Sequence, residues 1–241
     1  DSSSVSTQLS SGVTQIFSTY GAFAALKDDG SVVTWGSNLS GGDSSSVSTQ
    51  LSSGVSQIFS NETAFAALKN DGSVVTWGAL PMGSGDVSAQ LNSGVINIFS
   101  NNGAFAALKN DGSVVTWGSN LSGGDSSSVS TQLNSGVIKI FSNRHAFAAL
   151  KNDGSVVTWG DKFYGGNSSS VKDQINSGVS QIYSTNHAFA ALKNDGSVVT
   201  WGNNSYGGDS SSIKDQINSE VRDIFSTAGA FAALKNDGSV V

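Results

Sequence analysis

Ala22-Phe23-Ala24-Ala25-Leu26-Lys27-Asp28-Asp29-Gly30-Ser31-Val32-Val33-Thr34-Trp35-Gly36 decides the fold, because the chain repeats it from Ala64, Ala104, Ala146 and Ala188 with only Asn in place of Asp28. A sixth copy runs from Ala230 to Val241 and stops before its Thr-Trp-Gly. The five tryptophans, Trp35, Trp77, Trp117, Trp159 and Trp201, stand 42, 40, 42 and 42 residues apart, which is the period of β-propeller blades. Ala22 to Leu26 is too short for a stable helix and apolar on both faces, as a strand sandwiched between neighbouring sheets should be. Gly30 supplies the positive φ of a tight turn with a bulge, and Ser31 to Trp35 returns as the next strand.

Working outward, Val13 to Ser18 has the β-branched and aromatic content of a preceding strand. The polar opening of each unit, Asp1 to Leu9 in the first, carries only Val5 and Leu9 to pin a single turn or short outer strand onto the blade. No window of ten or more residues shows the apolar spacing of a helix, so a helical repeat is set aside. A lone small blade cannot bury both faces, so the units must stack. The reading is an all-β fold: a β-propeller of six blades of about 42 residues, one domain over residues 1–241, with a seventh blade outside this chain as the alternative. Nine residues separate Val33 from Asp43, and a connector of that size, at most ~30 Å long, would also link Val241 to Asp1. The six sheets are therefore expected to close into a ring with one connector missing.

Composition narrows the function. The net charge is −6, which leaves no basic surface for phosphates and argues against nucleic acid as a partner. No apolar run is long enough to span a bilayer. The absence of cysteine removes disulfides and thiolate metal sites together. Abundant Ser, Thr and Asn with few Lys favour a secreted or surface protein over a cytoplasmic one, and a targeting segment upstream is compatible with a chain that starts inside a repeat. Serine is plentiful, yet no Gly-x-Ser-x-Gly elbow supports a hydrolase. The Asp-Gly turns lack the alternating ligands of a calcium loop.

Because the scaffold positions are nearly identical, the positions that differ between copies carry the information. One set precedes the Ala-Phe strand and includes Tyr20, Glu62, Asn102, Arg144, His145, Asn186 and His187. The other follows Trp-Gly and includes Leu39, Met82, Leu121, Phe163, Tyr164 and Tyr206. Both lie at the open end of the hairpin closed by the Asp-Gly turn, so both should emerge on one face of the propeller, the usual place for recognition on a rigid scaffold. Leu39, Met82, Phe163, Tyr164 and Tyr206 are expected to be exposed there, and aromatic and Met residues are enriched in protein contacts. His145 and His187 occupy equivalent places in adjacent blades, but no Cys or matched acidic ligand accompanies them, so a surface-loop role is preferred to a metal pair.

Ile-Phe-Ser-x-x-x-Ala-Phe-Ala-Ala-Leu-Lys-Asn-Asp-Gly-Ser-Val-Val-Thr-Trp-Gly resembles the regulator-of-chromosome-condensation repeat, with its Ala-Leu strand, Gly turn, Val strand and Trp-Gly ending. Ser11-Gly12-Val13 and its counterparts resemble the bacterial branch that includes a propeller-type β-lactamase inhibitor. The resemblance implies a propeller whose contacts lie on the two loop sets just described. This chain departs from the family pattern in placing Ala146 and Asn143 where His and Gly are usual, and the family is commonly seven-bladed. Nothing in its acidic loops matches the surface with which the eukaryotic branch exchanges guanine nucleotide.

The sequence thus points to a monomeric, non-enzymatic module without cofactor or metal, which recognises a protein or a glycan through its variable face as part of a larger bacterial protein. The alternative is a structural spacer without a dedicated ligand. A packed cluster of Arg144, His145, Phe163, Tyr164, His187 and Tyr206 on one sector would favour recognition, and scattered loops the spacer.

Overall fold

The computed structural model describes residues 1–79 and 86–241. Six antiparallel sheets follow one another along the chain, five of three strands and a last one of two. Inner strands run Val13–Ser18, Val55–Ser60, Val95–Ser100, Val137–Ser142, Val179–Ser184 and Val221–Ser226; middle strands Ala22–Lys27, Ala64–Lys69, Ala104–Lys109, Ala146–Lys151, Ala188–Lys193 and Phe231–Lys235; outer strands Val32–Gly36, Val74–Gly78, Val114–Gly118, Val156–Gly160 and Val198–Gly202. The strand expected at Ser31 to Trp35 starts and ends one residue later. Among the described residues no helix is long and apolar enough to cross a membrane.

Each hairpin turn is built as its sequence requires. Gly30 sits at φ +75°, its N–H donates to the Lys27 carbonyl and the Lys27 N–H to the Ser31 carbonyl. The Asp29 carboxylate accepts from both the N–H and the hydroxyl of Ser31 at 2.9 and 2.6 Å, and these bonds hold its pKa below the ordinary carboxylate value. The polar opening segments form single turns, such as Ser45–Val47, and the Leu51 carbonyl at the end of one of them accepts from Val32 in the blade before.

Packing follows a single rule. The middle strand turns alternate residues to opposite sheets: Ala22, Ala24 and Leu26 of the first blade meet Leu51, Val55, Ile58, Phe65, Ala67, Val75 and Trp77 of the second, and three more interfaces repeat this set. Small alanines on one face receive bulky Ile, Phe and Trp from the other, which lets the sheets interdigitate at core density. Trp77, Trp117, Trp159 and Trp201 are buried and each stacks on its own blade's Phe at 5.2–5.5 Å. The indoles therefore belong to the core, as their presence in every complete blade implied.

Six blades are present, but the expected closure of the ring is not: among the described residues no core joins the sixth blade to the first. The end faces show it directly. Ile16 is 61% exposed where its counterpart Ile58 is 2%, Phe23 is 45% exposed where Phe65 is 0%, and Phe225 at the other end is 56% exposed. The step from blade to blade is fixed by how Ile, Phe and Trp seat on Ala, and five such steps leave the two end faces apart.

One departure from the repeat carries strain. The residue before each inner strand is Gly in blades one to five, with φ of +74° to +76°, and Glu220 in the sixth holds φ +65° in the same place. A Cβ built at the five equivalent glycines meets only movable side-chain ends, at 2.8 Å at Gly12, 3.2 Å at Gly94 and Gly136, 3.5 Å at Gly54 and 3.6 Å at Gly178, so the left-handed backbone is the main cost, ~1–2 kcal/mol. Glu220→Gly removes that cost, gives back part of it as unfolded-state entropy, and loses a 4.0 Å contact between the exposed Glu220 carboxylate and the half-buried Lys235, which is long for an ion pair and worth little. The expected gain is about 1 kcal/mol, read as a rise of ~2–4 °C in the thermal midpoint; a fall would contradict it.

Candidate functional site: an aromatic run on the loop face

The two variable loop sets share one face because they are bonded to each other in each of the five three-stranded blades. The residue after Trp-Gly donates its N–H to the carbonyl just ahead of the Ala-Phe strand, as Ser37 does to Gly21, Ala79 to Thr63, Ser119 to Gly103, Asp161 to His145 and Asn203 to His187. A second tie comes from Asn143 and its counterparts, named above as a departure from the family pattern and not among the candidate contact residues. Asn143 accepts from the N–H groups of His145 and Ala146 and donates its amide to the Tyr164 carbonyl at 2.6 Å. Asn101 does the same with Ser122, and the Thr185 hydroxyl with Tyr206. The signal was available: this position holds only Asn or Thr, the side chains here that both accept and donate at short reach.

Around the axis the loops form a one-way belt. Tyr20 N–H donates to the Glu62 carbonyl, Glu62 to Asn102, Asn102 to Arg144, Arg144 to Asn186 and Asn186 to Ala228. The Asn102 amide also reaches the Glu62 carboxylate at 2.8 Å. Glu62, Asn102 and Asn186 are thus ties between neighbouring loops; Asn102, Arg144 and Asn186 line an open depression of about 520 Å³, and Tyr20, Glu62 and Asn102 line a neighbouring one of about 390 Å³. Tyr20 is 94% exposed at the end of the belt.

The remaining candidates divide sharply. Leu39, Leu121 and Phe163 hold the same position in the first, third and fourth connectors and are exposed, at 79%, 77% and 64%; Met82 lies outside the described residues. Tyr164 and Tyr206, expected to be exposed with them, are instead half-buried, because each is one residue further on and turns inward against the His loops. The His145 ring meets Tyr164 edge-on at 4.6 Å, Tyr164 stacks on His187 at 4.5 Å, and His187 lies against Tyr206 at 3.9 Å. Four rings from blades four and five and the connectors that follow them form one continuous run. In blades one and three the same paired positions are small: Gly21 faces Ser40, Gly103 faces Ser122, and a Cβ at either would come within about 3 Å of the serine hydroxyl. Arg144 and the exposed Phe163 flank the run in sequence, and Lys162 Nζ sits 4.9 Å from the centre of the Phe163 ring.

The run fixes the electrostatics of its imidazoles. His145 Nδ1 lies 2.9 Å from the Ser122 hydroxyl. The counterpart of Ser122 one connector on is Tyr164, whose ring replaces that hydroxyl, and His187 Nδ1 is buried without a hydrogen-bond partner among the described residues. Burial first, then the charges of Arg144 and His145, push the His187 pKa below its ordinary value, so the ring is neutral at physiological pH and suited to stacking. Tyr164 contacts both imidazoles, and among the described residues no three His, Asp or Glu side chains converge to hold a metal ion.

An array of antiparallel blades around a common axis defines the class by architecture: a β-propeller. Its repeat is identifiable. Residues 179–207 match the regulator of chromosome condensation (RCC1) repeat, and the same strands and turn recur in the other copies. Among solved structures the chain is similar to Prp20p of Saccharomyces cerevisiae, the yeast RCC1, at TM-score 0.52 and 16% identity over 95% of this chain and 70% of that one. It is also similar to the CRINKLY WD40 ectodomain of the Arabidopsis thaliana receptor kinase ACR4, at TM-score 0.50 and 17% identity over 95% and 84%. It spans 60% of the ectodomain of the Physcomitrella patens receptor kinase CR4, at TM-score 0.49 and 14% identity over 94% of this chain. No curated protein matches the chain in sequence. The resemblance to the RCC1 repeat is borne out at the level of repeat and fold. Prp20p has been characterised for its binding to Gsp1p and histones, and solved bound to Kap60.

Proposed function

We propose that this chain is a non-enzymatic recognition module that binds a protein through the sector of its loop face carrying His145, Phe163, Tyr164, His187 and Tyr206. The observation that carries this reading is the four-ring run. Blades one and three keep Gly and Ser at the paired positions, while blades four and five replace both partners with rings that pack on one another. A spacer without a ligand gives no reason for such matched replacement. Rigid aromatic groups supply contact area at little entropic cost, and the run holds them in place beforehand, so less freedom is lost on binding. The reading also draws on the protein partners of the Prp20p propeller.

The test is a protein and glycan array probed with the intact chain, followed by affinity measurements on the best partner. Phe163→Ala and Tyr164→Ala are expected to weaken binding at least about tenfold, as hot-spot truncations do, while Leu39→Ala, beside the Gly/Ser pair of the first blade, leaves it unchanged. Equal binding by all three variants would remove the sector from the account. Hits confined to glycans would replace the protein partner with a sugar stacked on the same rings.

A further inference from the structure

Propeller blades are commonly four-stranded, and the complete blades here have three strands, so their outer strands are sheet edges. In the fifth blade that edge is Val198–Gly202. Lys193 N–H donates to the Ser197 carbonyl at 2.9 Å and Asn203 N–H to the His187 carbonyl at 3.0 Å, so antiparallel alternation turns the backbone groups of Val199 and Trp201 to the middle strand and those of Val198, Thr200 and Gly202 outward. The next connector covers both ends of the edge. Val198 N–H donates to the Ile217 carbonyl at 2.9 Å, and Gly208 lies on Gly202, where an added Cβ would be 2.6 Å from the Gly202 carbonyl oxygen. The Val198 carbonyl and both backbone groups of Thr200 remain, and these two residues line a groove of about 710 Å³.

The walls of the groove are the opening segments of two successive units, and here the repeat changes. One wall carries Asp173 and the other Lys214. Lys172-Asp173 and Lys214-Asp215 stand where the first four units have Ser-Thr or Ser-Ala. The same two wall positions are Thr7 and Ser48 in the first blade, Thr49 and Ser88 in the second, Ala89 and Ser130 in the third, and Thr131 and Lys172 in the fourth. The fifth blade alone sets an acid against a base. A third charge joins them at the hairpin-turn end. Lys27, Lys69, Lys109 and Lys151 each donate Nζ to the carbonyl of a glutamine in the opening segment, at 2.8–3.1 Å, whereas Lys193 lines the groove with its counterpart Gln174 and makes no such bond. Among the described residues the one ion pair is Lys235–Glu220, so Asp173, Lys193 and Lys214 are all uncommitted.

We infer that the outer edge of the fifth blade accepts a short extended segment of another polypeptide in which basic and acidic residues alternate. A strand laid on this edge turns successive side chains to opposite walls, so its bases face Asp173 and its acids face Lys214. Main-chain bonds to Thr200 and to the Val198 carbonyl give affinity, as in other strand additions at a sheet edge, and the oppositely charged walls select the alternation. The inference does not rest on the loop-face reading.

The experiment is an NMR titration of the isotope-labelled 241-residue protein with two acetylated, amidated peptides, Val-Lys-Glu-Lys-Glu-Val and Val-Lys-Lys-Glu-Glu-Val. They share one composition, but the second puts both charges on each side of a strand. The alternating peptide is expected to move the Thr200 amide proton downfield and slow its exchange with solvent, while Thr116 and Thr158, on the edges of the third and fourth blades, stay as they were. It is expected to bind about three- to tenfold tighter than the second peptide, and Lys214→Glu, which makes both walls acidic, to weaken it by a similar factor. Phe163→Ala, in the loop sector, leaves it unchanged. No saturable shift at Thr200, equal shifts at Thr116 and Thr158, equal binding of the two peptides, or an unaffected Lys214→Glu variant would each overturn the inference. So would a dimer of the free protein with its Thr200 amide already protected, which would give the edge to a second copy of the chain.

Discussion

Replacing Phe147 by alanine is expected to cost ~3–5 kcal/mol of unfolding free energy, and replacing Phe23, the same residue in the same local sequence, less than half as much. Phe147 is fully buried, stacks on Trp159 at 5.2 Å and packs among Ala104, Ala106 and Leu108 of the blade before. Truncation leaves a cavity that the alanines opposite, already at minimum size, do not fill, so the transfer and cavity penalties add. Phe23 stacks on Trp35 at 5.3 Å but has no blade in front of it and is 45% exposed, so it has less contact to lose. The comparison isolates the inter-blade interface, because intrinsic strand propensity and the Phe–Trp pair are common to both sites. Equilibrium urea unfolding of the two variants, with midpoint and slope fitted separately, decides it. Phe147→Ala is also expected to broaden or split the transition, since each blade is stabilised only by its neighbours and the break falls in the middle of the array. Equal losses at the two positions would mean that the stack within a blade, and not the contact between blades, holds the fold.

The same contrast explains what the sequence discloses and what it hides. Strand identity, turn chemistry and the core role of tryptophan are local consequences of Ala-Phe-Ala-Ala-Leu, Asp-Gly and Val-Val-Thr-Trp-Gly, and five near-identical copies leave little ambiguity. That the two variable sets share a face follows from hairpin geometry and is realised in the bond from Asp161 to the His145 carbonyl and its counterparts. Closure is different in kind. It depends on the angle between successive sheets, which is set by how far Ile140 and Phe147 sink between Ala104 and Ala106, and no periodicity in one dimension reports an angle. The aromatic run is intermediate. His145, Tyr164, His187 and Tyr206 are all visible as variable residues, but that Tyr164 touches both histidines while Phe163 beside it faces solvent depends on a one-residue difference in direction within the turn Lys162–Tyr164. The paired exchange of Gly and Ser for His and Tyr is the trace this leaves in the sequence, and it becomes readable only once Gly103 is known to face Ser122.

Gly123→Ala is the second large effect, expected to destabilise by about 2–5 kcal/mol through two costs that can be separated. Gly123 closes the turn Asn120–Ser122 at φ +88°, a conformation that costs an L-residue ~1–2 kcal/mol. A Cβ there would also lie 2.9 Å from the Phe147 ring and 3.2 Å from Trp159, two side chains locked in a filled core, and relieving such overpacking costs a further ~1–3 kcal/mol. Gly238 provides the control, because it has φ +86° and nothing within 4 Å of the added carbon. Gly238→Ala therefore carries the backbone cost alone, and the difference between the two variants measures the crowding. The Gly123 carbonyl is also the acceptor for the Trp159 indole at 3.0 Å, so a shift of this turn away from Phe147 lengthens that bond and moves the tryptophan fluorescence of the native state, a change that Gly238→Ala does not produce. Matching losses of stability in the two variants, with unchanged native fluorescence in both, would show that the connector yields freely and that glycine is needed here for its backbone angle alone.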